Sequence, residues 1–284
     1  MAERTVVVHV DDVGMCHGAN QAYLELSASG FVTSGSVMVP CPWFLEVAQA
    51  AAADSRLDLG VHLTLTAEKT HYKWRPLTDP GVDSGLMDGN GFFWPDVTSV
   101  RSRCAPEAAE AEMRAQIDRA LAAGIDVTHL DAHMGATFAP EFIESYVRLG
   151  EDYGLPILLT ERLADYSANN HLVGLDEDTY QEAIAGARRL DFVLFDHVLE
   201  TDWDRTGPPV ATYEPLFSTL PHGMTFLALH PNAPGELEMI EPDSFHIRTG
   251  EYELFSDPDF QRWTSTLGLD RVGMRGFRDQ LRSR

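Results

Sequence analysis

Aspartates and histidines recur at four places in this chain, each at the end of an apolar, strand-like run or inside one. Asp11-Asp12 follows TVVVHV, His62 sits in LDLGVHLTL, His129, Asp131 and His133 fall in DVTHLDAH, and His230 follows FLAL. An Asp and two His form the mixed oxygen and nitrogen donor set that suits zinc or another divalent first-row ion, with positions left open for water and substrate. Such an ion polarises a carbonyl oxygen and lowers the pKa of water toward about 7. A second carboxylate beside it can act as general base, and an imidazole across the site can protonate a departing amine. Asp11, Asp12, His62, His133 and His230 fill these roles between them.

Parity along the strands supports that grouping, because alternate side chains share a face. Val127, His129, Asp131 and His133 share one face of their strand. Asp58, Gly60, His62 and Thr64 share a face of theirs, as do Phe226, Ala228 and His230. Asp11 and Asp12 cannot both obey the rule in a regular strand, so the chain is expected to turn at Val13-Gly14. His129 and Asp131 are candidates to buttress a ligand imidazole, which commonly gives its second N–H to a carboxylate or carbonyl. His9 reads as core or as support for the same site. His71, His171, His197, His222 and His246 lack such context and read as surface or packing residues.

The elements that must carry these residues alternate. Strands are predicted at 5–10, 34–39, 57–65, 126–131, 155–160, 191–195 and 224–229. Helices are predicted at 19–29, 43–53, 106–123, 140–153, 177–189, 212–220 and 258–267, several of them closed by Gly. Two long irregular stretches, 66–104 and 231–255, interrupt the series. The first contains HYKWRPL (71–77), and Trp74 and Arg75 are candidate sugar contacts, by ring stacking and hydrogen bonding. Repeated βα units imply parallel strands with right-handed crossovers. Polar clusters on strands one, three, four and seven favour an α/β barrel over an open sheet, because only a barrel brings those strand ends to one mouth. The expectation is a single TIM-like (β/α) barrel domain over residues 1–284, with about seven strands.

Composition narrows the partners. Asp and Glu number 44 against 21 Lys and Arg, a net charge of −23, which disfavours nucleic acid and anionic lipid and implies a substrate neutral or cationic at its reacting end. Three cysteines without a CxxC pair argue against a disulfide framework or zinc knuckle, and Cys16 reads as a small buried thiol. No basic flank, apolar leader or membrane-length apolar run occurs, so a cytoplasmic protein is expected. A homodimer stays open. GxGxxG, GxxxxGK[ST], GxSxG and HExxH are absent.

Taken with their order and spacing, VDDVG (10–14), SGSVMVPCPWF (34–44), LGVHLTLT (59–66), THLDAH (128–133) and LALHPN (227–232) resemble the YdjC-like (ChbG/HpnK-type) carbohydrate deacetylase family over roughly residues 5–235. That resemblance implies a (β/α) barrel, often incomplete, and removal of acetyl groups from N-acetylated amino sugars with a divalent metal ion, zinc or magnesium. It implies Asp11 as general base, Asp12, His62 and His133 as metal ligands, and His230 as acid. The chain departs from the family where many relatives continue with a run of histidines, reading His133-Met134-Gly135-Ala136 instead. Two alternatives remain: a metal-dependent sugar isomerase or epimerase, though its only lysines are Lys69 and Lys73 in the first irregular stretch, and a non-catalytic sugar-binding barrel.

Overall fold

A computed structural model describes residues 4–166 and 177–284, so His171 lies outside the described residues. The chain opens with β1 (Arg4–Val13), α1 (His17–Ala28), β2 (Ser34–Val37), α2 (Phe44–Ala53) and β3 (Leu59–Leu63). Then come α3 (Val97–Arg103), α4 (Pro106–Ala122), β4 (Leu130–Ala132), α5 (Ile143–Tyr153), α6 (Glu177–Arg189) and β5 (His197–Glu200). The remainder holds α7 (Pro209–Ser218), β6 (Gly223–Leu229), α8 (Leu237–Ile240), α9 (Phe245–Ser256), α10 (Pro258–Ser265), β7 (Asp270–Arg271) and α11 (Met274–Arg282).

All strand pairings are parallel, in the order β4-β3-β2-β1-β6-β5, with β7 added beside the start of β1. β1 is central, and its valines 6, 7, 8 and 10 are buried, as expected of a parallel strand covered on both faces. The sheet curls into an incomplete (β/α) barrel. Residues 155–160, expected as a full strand, instead attach by isolated bridges, Leu130 with Ile157 and Thr160 with Phe195. Pro156 contributes its carbonyl to Leu130 N–H but has no N–H of its own to give. The expected strand at 191–195 lies later, at 197–200, and paired β4 is only three residues long.

The first irregular stretch is ordered. Trp74, Leu86 and Phe93 are buried, and Trp74 donates its indole N–H to Thr66 O. Glu112 and Gln116 on α4 tie the stretch down: Glu112 accepts from the backbone of Leu77 and Thr78, and Gln116 bonds both the N–H and C=O of Thr64. The second irregular stretch, expected to lack helices, holds α8 and α9. No helix among the described residues is long and apolar enough to cross a membrane.

Candidate active site

The C-terminal ends of the strands open into one cavity of about 450 Å³. Asp11, Asp12, His62, His133 and His230 all line it, carried by β1, β3, the turn after β4 and the end of β6.

Two adjacent aspartates reach the same space because β1 is irregular there. Its register with β2 shifts between Val10 and Val13, and Asp12 takes a left-handed φ of 60°. Asp is among the few residues that tolerate this region. The predicted turn is therefore a bulge inside the strand, followed by a 12–15 turn closed by Met15 N–H to Asp12 O. A second irregularity places His133: Met134 and Gly135 are both left-handed, so the chain folds sharply as β4 ends.

Asp12 Oδ1 lies 3.1 Å from His133 Nδ1 and 3.4 Å from His62 Nε2. Yet it is a buried oxygen with no hydrogen-bond partner. An unpartnered carboxylate oxygen facing two imidazole nitrogens is the arrangement a cation would satisfy. The three donor atoms lie within 4.8 Å of one another. The residues present fit a divalent ion.

Each imidazole of this set is backed by a carboxylate. His62 Nδ1 lies 2.9 Å from Asp131 Oδ1, and His133 Nε2 lies 3.0 Å from Glu68 Oε2. Such partners fix ring orientation and raise ligand basicity. Burial opposes the charged form of both rings, but Asp131 and Asp11 raise His62 well above its ordinary value, and Glu68 and Asp12 raise His133. Burial likewise works against ionised Asp12, and Arg248 and His133 overcome it, holding its carboxyl well below the usual range.

Beneath these three side chains lies a polar layer. Asp131 Oδ2 accepts from Ser36 Oγ and lies 3.0 Å from His9 Nε2. Burial alone would lower His9, but hydrogen bonds to Asp11 and Asp131 raise it to about 9. His129 touches Asp131 less closely, at 3.8 Å, and its Nδ1 meets Thr128 Oγ1. Gly60 is required here, since a Cβ would come within 2.7 Å of three atoms of the His129 ring.

On the other side, His230 Nε2 lies 3.5 Å from Asp11 Oδ2, and its Nδ1 meets Thr201 Oγ1 at 2.8 Å. Its backbone N–H donates to the buried Glu251. Burial pushes the imidazole down to about 4, even against the pull of Asp11 and Asp12, so the ring is neutral near pH 7.

Trp74 and Arg75 do not line the cavity. Trp74 packs behind His133, ring centroids 6.2 Å apart, while Arg75 is spent on Gly91 O within its own loop, over the ring of Phe92. Aromatic side chains in the cavity are Phe138, Tyr166 and Trp203, the last beside His230 at 4.7 Å and under the Arg248 guanidinium at 5.0 Å. Glu68, Glu241, Arg248 and Trp203 join the site without a local motif to mark them in the sequence. Cys16 is buried and donates to Asn232 Oδ1.

The chain is thus an incomplete parallel (β/α) barrel with acids and imidazoles at its strand ends. The family model described as YdjC-like protein matches residues 5–266, and the chain belongs to that family. A carbohydrate deacetylase from Thermus thermophilus is 33% identical over 260 residues, covering 91% of this chain and 89% of the relative. Another, from Thermoanaerobacter pseudethanolicus, is 25% identical over 255 residues, covering 89% and 91% respectively. A crystal structure from Enterococcus faecalis, named for cellobiose-phosphate cleavage, shares the fold with a TM-score of 0.76 at 19% identity, covering 97% of this chain and 99% of that one.

Proposed function

We propose that this protein is a metal-dependent carbohydrate deacetylase that hydrolyses the N-acetyl group of an amino sugar. The observation that carries the reading is the unpartnered Asp12 Oδ1 facing His62 and His133, with Asp11 and His230 on the same cavity wall. Relatives that the chain covers almost end to end bear the deacetylase name.

Asp12, His62 and His133 would hold the divalent ion, zinc or magnesium. When bound, it supplies Lewis acidity toward the amide carbonyl and toward water. Asp11 takes the proton of the attacking water as general base. The 3.5 Å gap between Asp11 Oδ2 and His230 Nε2 gives that proton a path to the imidazole, which delivers it to the departing amine nitrogen. Neutral at rest, His230 can receive the proton before giving it up. Thr201 orients the ring through Nδ1, and Trp203 offers a face for a sugar ring.

The test is acetate release from a panel of N-acetyl amino sugars by purified protein, by protein stripped with chelator, and after zinc or magnesium is restored. Acetate release that stops on stripping and returns with the ion is expected. Release unaffected by stripping, or none from any sugar, defeats the reading.

A further inference from the structure

The charges around the cavity narrow the substrate further. Among the described residues, two side chains of lysine or arginine line it, Lys69 and Arg248. Both are already paired with carboxylates. Arg248 Nη1 donates to Asp12 Oδ2 at 2.7 Å and its Nε to Glu241 Oε2 at 3.0 Å. Lys69 Nζ pairs with Glu68 at 2.9 Å and with Glu241. Glu68 in turn meets His133, and His133 meets Asp12, so the contacts close into a ring. Freeing either cation would break its contacts with two carboxylates at once, an unfavourable exchange.

Three cations outside the lining have partners of their own. Lys73 Nζ donates to Ala67 O, Arg162 pairs with Asp165, and Arg205 donates to the carbonyls of Gly207, His246 and Ile247. Residues 167–176, which follow Tyr166 of the cavity wall, read SANNHLVGLD and contain no lysine or arginine. Against the two paired cations stand five carboxylates on the wall: Asp11, Asp12, Glu68, Glu200 and Glu241. Phosphate and carboxylate groups are recognised by arginine forks or lysine ammonium groups, and both cations on the described wall are already engaged by carboxylates. Its apolar side, with Phe138, Leu158, Tyr166, Val198 and Trp203, suits the C–H faces of an uncharged ring.

We infer that the amino sugar this site accepts carries no phosphate, sulfate or carboxylate group. The reaction rests on the deacetylase reading; the exclusion of anions rests on charge pairing alone.

The experiment compares kcat/KM for acetate release from N-acetylglucosamine, its 6-phosphate and N-acetylneuraminic acid, with inorganic phosphate as a control for direct coordination of the ion. The anionic sugars should be poorer by roughly tenfold or more, given the cost of like-charge juxtaposition. The Glu200→Lys variant should narrow the ratio severalfold by adding a cation at the end of β5. An anionic sugar turned over as well as the neutral one overturns the inference. If no sugar yields acetate, the deacetylase reading fails and binding decides the inference. Calorimetry with glucosamine and glucosamine 6-phosphate supports it if the neutral compound binds tighter, and overturns it if the phosphate binds as well or if neither binds.

Discussion

Arg248 Nη1 donates to Asp12 Oδ2 at 2.7 Å across 236 residues of sequence, while the other oxygen of the same carboxylate faces His62 and His133. The guanidinium therefore occupies one oxygen and leaves the other facing the two imidazoles. It also compensates a carboxylate that is almost wholly buried.

That pairing predicts the behaviour of Arg248→Lys. A lysine keeps the charge but lacks the planar fork that reaches Asp12 through Nη1 and Glu241 through Nε. Affinity for the divalent ion, read by calorimetry, should fall by about 10- to 100-fold, the range for residues that orient metal ligands. An unchanged dissociation constant would remove Arg248 from the site's design. Arg248→Met should go further and lower stability by about 3–5 kcal/mol, since Asp12 Oδ2 and Glu241 Oε2 both lose the buried cation they share.

The carboxylates behind the imidazoles should separate by stability. Glu68→Gln removes one partner of His133 from a loop position, so metal affinity should drop by about 10- to 100-fold with a small change in Tm. Asp131 serves His9, Ser36 and His62 together. Asp131→Asn should therefore lower both metal affinity and Tm, by several degrees. Equal thermal shifts for the two variants would contradict this division.

Asp11 and Asp12 are expected to fail differently. Asp11→Asn should retain the ion while kcat falls by about 10²- to 10⁴-fold, the usual contribution of a general base. Asp12→Asn should lose the ion itself. Metal content by atomic emission, measured beside acetate release, distinguishes them; an Asp11→Asn protein with full turnover defeats the assignment of the base.

The thiols give a pH prediction away from the site. Burial raises Cys16 and Cys104 from 9.0 to about 11, and Cys41 well above its ordinary value. The folded protein binds these protons more tightly than the unfolded chain, so their contribution to stability is complete below pH 9 and is lost as pH rises toward 11. Alkylation by iodoacetamide at about pH 8.5, near the ordinary thiol pKa, should be negligible in the native protein and reach all three cysteines in denaturant. Rapid native alkylation would show that the thiols are not held as described.

Legibility in the sequence follows locality. His62 and His230 lie on or at the end of regular strands, where parity reports facing, and the barrel follows from βα alternation. Glu68 and Lys69 are hidden in a stretch whose order comes from distant partners such as Glu112 and Gln116, leaving no local period. Helix α9 is hidden for a different reason: its buried face carries Arg248 and Glu251 beside Ile247 and Phe255. The polar groups that serve Asp12 and His230 erase the apolar stripe that would have announced the helix. Trp74 draws notice for its ring, but its buried indole N–H serves the loop, while Trp203 stands in the cavity.

The bulge that turns Asp11 and Asp12 toward the same space has a mechanical consequence. Neighbours joined by a single peptide bond cannot drift apart as two groups on separate loops can. The spacing between the proposed base and the proposed metal ligand is thereby written into the covalent chain.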